Sequence, residues 1–81
     1  MTEYIIVHTS HGYMMDESPA FTHNIADAMV TINYQKAKDL CDRYMACMWK
    51  RDNPTAKWEP CYQPSNKFRP EYLGDLIGEM Y

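Results

Sequence analysis

Several residue types are scarce in this 81-residue chain, and each scarcity excludes a class of protein. The 3 glycines, Gly12, Gly74 and Gly78, are scattered, so there is no glycine-rich phosphate loop. The 3 cysteines are an odd number, so a disulfide framework cannot use them all. No apolar run approaches the roughly 20 residues of a membrane span, and "MTEYIIVHTSHG" lacks the features of a signal peptide. We therefore expect a cytoplasmic protein with reduced thiols and no membrane partner.

Basic residues are missing from residues 1–33, which carry only the acids Glu3, Asp16, Glu17 and Asp27. The stretch 50–69 then holds Lys50, Arg51, Lys57, Lys67 and Arg69, while the last residues are acidic again. The formal net charge is -3. Net acidity argues against indiscriminate nucleic-acid binding, because that affinity comes mainly from neutralising phosphates.

The first half of the chain predicts strands and turns. "TEYIIVHT" is a β-branched and aromatic run typical of a strand, "SHG" is a turn, and "YMMDE" reads as the returning strand. "THNIADAM" predicts one helical turn with Thr22 or Asn24 as its N-cap. Met29 to Ile32, "MVTI", predicts a short third strand.

A helical apolar stripe follows. It consists of Ala37, Leu40, Cys41, Tyr44, Met45 and Met48 at positions i, i+3, i+4, i+7, i+8 and i+11. This spacing predicts one long amphipathic helix that begins after Asn33, continues through Lys50 and Arg51, and ends at "RDNP" before Pro54.

"TAKWEPCYQ" predicts a last strand, which Pro60 restricts to a sheet edge or a bulge. Helical spacing in 70–81 predicts a short C-terminal helix. The expected fold is a single α+β domain over 1–81. It comprises a small antiparallel sheet of three to four strands, one long helix packed on one face, and a short C-terminal helix.

No pattern of catalytic or metal-binding residues is present. His8 and His11 are spaced H-x-x-H, but the paired cysteines of a zinc site are missing. Cys61 lies in a basic stretch that could lower its pKa, whereas Cys41 falls on the helical stripe and is expected in the core. We expect no enzyme activity, no metal and no cofactor.

The stretch "KRDNPTAKWEPCYQPSNKFRP" allows three interpretations. Its cations and aromatics could bind phosphates and stack on bases, as in single-strand binders. Its aromatics could instead pack under the helix while the lysines extend into solvent. A protein interface is the third, since Tyr, Trp, Met and Arg are enriched there.

The segments "YIIVHTSHGYMM" and "FTHNIADAMVTINYQKAKDLC" resemble small phage-encoded early proteins, over the first half of the chain. The resemblance implies an acidic protein, in the cytoplasm of a host bacterium, that blocks a host complex such as a polymerase, a nuclease or a CRISPR defence complex. It assigns no functional residues to this chain.

Two sets of residues are the candidates for contact with such a partner. The first set, expected to be exposed, is Trp49, Arg51, Trp58, Lys67, Phe68 and Arg69. The second would imitate nucleic-acid phosphates: Asp16, Glu17, Glu71, Asp75 and Glu79. The alternative function is a nucleic-acid-binding accessory protein that uses 50–69. A third hypothesis is a small enzyme or metal protein, which predicts bound zinc or a reactive thiol at Cys61. A homodimer through an open sheet edge is compatible with all three.

Overall fold

A computed structural model describes residues 1–8 and 10–64. The strands are β1 (Glu3–His8), β2 (Gly12–Asp16), β3 (Ala20–Thr22), β4 (Cys47–Arg51) and β5 (Glu59–Tyr62), and the helix is α1 (Tyr34–Tyr44). The sheet is antiparallel, in the order β3-β2-β1-β4-β5. The α+β class is confirmed, with five strands instead of three to four. The predicted C-terminal helix over 70–81 lies outside the described residues.

The central strand β1 is buried on both faces, as its sequence "YIIV" indicates. Ile5, Ile6 and Val7 are fully buried, and successive side chains of a strand point to opposite faces. The whole length of β4 pairs with β1, from Arg51 opposite Glu3 to Cys47 opposite Val7. These two strands form the middle of the core.

The turn between β1 and β2 requires glycine at position 12. Gly12 has a φ of +90, in the left-handed region that favours glycine. A Cβ atom there would lie 2.5 Å from the carbonyl oxygen of Thr22 in β3. The hairpin predicted from "SHG" is therefore confirmed, with Gly12 at the start of β2.

The third strand is not where the sequence placed it. "AFT" at Ala20–Thr22 forms β3, whereas 29–32 contributes only an isolated bridge between Thr31 and Tyr4. The Met29 amide donates to the Met14 carbonyl at 2.9 Å, so this segment contacts both β1 and β2, and the chain bends at Ile32. The predicted helical turn is a 3₁₀ helix at Ile25–Asp27, with Asn24 as its N-cap.

Helix α1 begins where the sequence predicted. The Asn33 side chain caps it by accepting from the Lys36 amide at 3.1 Å. Ala37, Leu40 and Cys41 are its buried residues, in agreement with the stripe.

The predicted end of the helix is wrong. Met45 adopts a left-handed conformation (φ 54, ψ 39), and residues 47–51 continue as strand β4. The four successive side chains from Ala46 to Trp49 are all buried. One helical stripe cannot bury four consecutive residues, but a strand covered on both faces can.

Alternation along β1 and β4 divides the core into two clusters. The helix face comprises Ile6, Met14, Ala37, Leu40, Cys41, Ala46 and Met48. The tryptophan face comprises Ile5, Val7, Tyr13, Cys47, Trp49 and Trp58, with Ile25 and Ala28 packed against it.

The last strand, predicted over "TAKWEPCYQ", is confirmed at Glu59–Tyr62 only, and the residues before Glu59 are not part of it. β5 is an edge strand, Pro60 lies opposite Trp49, and the register shifts between Met48 and Trp49. Proline has no N–H to donate, so an edge with a bulge accommodates it.

Candidate protein-binding surfaces

Both tryptophans of the first candidate set, Trp49 and Trp58, are in the core. Trp49 is 4% exposed and Trp58 is 8% exposed, so the expectation that both face solvent is wrong. Trp49 points into the tryptophan face from β4, and Trp58 joins it from the residues just before β5. The buried indole N–H of Trp49 has no acceptor among the described residues.

Arg51 covers Trp58. Its guanidinium carbon lies 4.3 Å from the Trp58 ring centroid, which is a cation–π contact. Its Nη2 donates to the Glu3 carboxylate at 2.9 Å, and its Nη1 donates to the Pro54 carbonyl at 3.2 Å. Both charged side chains are only about a fifth exposed, at 21% and 23%. Arg51 therefore closes the rim of the tryptophan face.

This arrangement weakens the nucleic-acid interpretation of 50–69. A single-strand binder stacks bases on exposed rings beside unpaired cations. Here Trp58 is buried under Arg51, and Arg51 is paired with Glu3. Lys67, Phe68 and Arg69, the other predicted contact residues, lie outside the described residues.

Two of the predicted acidic residues are exposed together. Asp16 and Glu17 form the end of β2 and the turn after it, beside Met15, which is 42% exposed. The Ser18 amide donates to Asp16 at 2.9 Å and the Ser18 hydroxyl donates to the same oxygen. The hydroxyl contact is the main reason that the pKa of Asp16 is lowered. Glu71, Asp75 and Glu79 lie outside the described residues.

An open groove of about 290 Å³ separates this turn from α1. Its lining residues are Glu17, Asn33, Gln35, Lys36, Asp39, Leu40 and Arg43. Lys36 and Glu17 form an ion pair across it at 3.4 Å, with both side chains about half exposed. Pairs this exposed contribute little to stability. Because charges of both signs line the groove, it selects neither cations nor anions.

The histidines form a ring cluster at the β1–β2 turn. His8 and His11 stack with centroids 4.5 Å apart, and Phe21 lies 5.8 and 5.4 Å from them. The Ser10 amide donates to Nδ1 of His8 at 3.1 Å, which requires that nitrogen to be unprotonated. Burial, and then the neighbouring His11, lower the pKa of His8. Within residues 1–8 and 10–64, no three potential ligands come close enough to hold a metal ion.

The thiols are not activated for nucleophilic chemistry. Burial raises the pKa of Cys41 and of Cys61, and raises that of Cys47 to about 11. A reactive cysteine needs the opposite shift. The basic neighbourhood that suggested Cys61 is present, since Lys50 favours its thiolate, but burial has the larger effect.

Large apolar side chains remain on the surface away from the basic stretch. Val30 is 46% exposed, Ile32 59% and Tyr34 45%. Tyr34 packs edge-on against Tyr4 at a centroid distance of 5.6 Å. Sequence reasoning did not single out Val30 and Ile32, because Met29 to Ile32 was predicted only as a short third strand.

Comparison with protein-family models, with curated proteins and with solved structures finds no match to this chain. Among the described residues, no helix has the length and hydrophobicity that crossing a bilayer requires.

Proposed function

We propose that this chain is a non-catalytic binding protein that occludes a basic surface of a host protein or protein complex. The phage resemblance of its first half points to anti-defence proteins such as CRISPR inhibitors, or to inhibitors of a polymerase or nuclease. A groove that normally binds nucleic acid is the kind of surface that fits.

One observation carries the proposal. The described members of the acidic set, Asp16 and Glu17, are exposed and lie beside exposed Met15. Among the described members of the basic-aromatic set, Trp49 and Trp58 are buried in the core and Arg51 is paired with Glu3. Among the described members of the two sets, the acidic residues are therefore the exposed ones, with Glu17 about half exposed in its ion pair with Lys36.

Charge distribution supports the same choice. Residues 1–33 contain no Lys or Arg, and Lys36 of α1 is the cation that pairs with Glu17 at their surface. An acidic surface speeds association with a basic partner and disfavours nucleic acid. An exposed apolar side chain such as Met15 adds adaptable contact area.

The test is affinity capture from a nuclease-treated bacterial lysate, with the double variant Asp16→Asn and Glu17→Gln beside the wild type. Both substitutions remove charge, and the amide introduced at position 16 can still accept from Ser18. The matched control is Lys50→Gln with Lys57→Gln, which removes two positive charges from the basic stretch.

The expected result is one stoichiometric host protein that the wild type and the lysine variant retain and the acidic variant loses. Loss with the lysine variant alone would transfer the interface to 50–69. Recovery of nucleic acid alone, with an affinity that falls steeply with salt, would replace the proposal by the nucleic-acid-binding alternative.

A further inference from the structure

We draw no further inference here: the strongest candidate, the ring cluster of His8, His11 and Phe21 at the β1–β2 turn, carries nothing beyond an acid sensitivity that rests on the lowered pKa of His8 alone.

Discussion

The helix side of the sheet is packed with aliphatic and sulfur-containing side chains, whereas the opposite side is packed around two tryptophans and a tyrosine. The same strands contribute side chains to both clusters, since neighbouring residues of β4 point into different clusters. The helix face is covered by a regular element with one apolar stripe. The tryptophan face depends on a few large side chains that come from a strand and from irregular segments.

This difference decides which part of the core is sensitive to single substitutions. A helix distributes its contacts over several residues, and small shifts can refill a gap. A cluster built on large aromatic side chains loses much of its contact area when one is truncated. We therefore expect the tryptophan face to be the more fragile of the two.

The largest effect is expected for Trp49→Ala compared with Met48→Ala, its neighbour on the helix face. Both side chains are buried, at 4% and 0% exposed. Buried Trp→Ala substitutions cost about 3–5 kcal/mol and buried Met→Ala substitutions about 2–5 kcal/mol, and we expect Trp49→Ala to lower the free energy of unfolding more than Met48→Ala. Denaturant unfolding followed by far-UV circular dichroism measures both. A smaller loss for Trp49→Ala would show that the tryptophan face is not the fragile one.

Trp49→Phe sharpens the same comparison. It reduces side-chain volume but also removes a buried indole N–H that has no acceptor among the described residues. We expect a loss of only about 1 kcal/mol, because removal of an unsatisfied donor offsets part of the lost packing.

The next effect concerns Arg51, which closes the tryptophan face. Arg51→Met keeps much of the side-chain length but removes the ion pair with Glu3 and the cation over Trp58. We expect it to lower the unfolding free energy by about 1–2 kcal/mol. The exposed Lys57→Met should change it by less than about 0.5 kcal/mol. Equal effects of the two would show that the Arg51 contacts contribute nothing.

The third expected effect is a pH dependence of the unfolding free energy, which arises from His8 in the ring cluster. The pKa of His8 is lowered in the folded state, so the unfolded chain binds more protons near and below pH 6.5. The stability contributed by neutral His8 is present above its unfolded pKa and is lost as pH falls through the folded pKa. The slope cannot exceed about 1.4 kcal/mol per pH unit for one group.

His8→Asn is the matched variant, since its side-chain oxygen can still accept from Ser10 without titrating. Unfolding free energies measured between about pH 7 and pH 5 should fall less for His8→Asn than for the wild type. Identical slopes in the two proteins would exclude His8 as a source of the acid sensitivity.

The smallest effect expected is a gain, at the end of α1. Met45 adopts a left-handed conformation with φ 54, which is unfavourable for residues other than glycine. Because Met45 is 42% exposed, Met45→Gly loses little burial. It should raise the unfolding free energy by roughly 0.5–1 kcal/mol, whereas Tyr44→Gly, within the helix, should lower it. A loss in Met45→Gly would mean that its side-chain contacts outweigh the backbone strain.

The sequence predicted the helix face better than the tryptophan face, and the reason is periodicity. The stripe of Ala37, Leu40 and Cys41 is a local signal, and so is the Asn33 cap. Strand β1 was likewise predicted from its β-branched run, and the edge position of β5 was predicted from Pro60. The α1–β4 boundary was missed because Met48 continues the helical spacing, while the signal against it is the unbroken apolar run "ACMW".

The candidate site was less predictable than the fold. The sequence grouped Trp58 and Arg51 with the basic stretch, but it could not show that Glu3, far away in the chain, neutralises Arg51. The pairing of β1 with β4 creates that contact, and it is a tertiary feature. Asp16 and Glu17 are exposed, as their place in the predicted acidic contact set requires.

Helix α1 and strand β4 are joined by only Met45 and Ala46, and Ala46 is fully buried. The connection is therefore too short and too buried to accept extra residues, which would displace β4 from the middle of the core. The loop 52–58 joins β4 to an edge strand, and its residues 52–57 are mostly exposed whereas Trp58 is buried. An epitope or a fluorescent module inserted into the chain would be tolerated in that loop and rejected between α1 and β4.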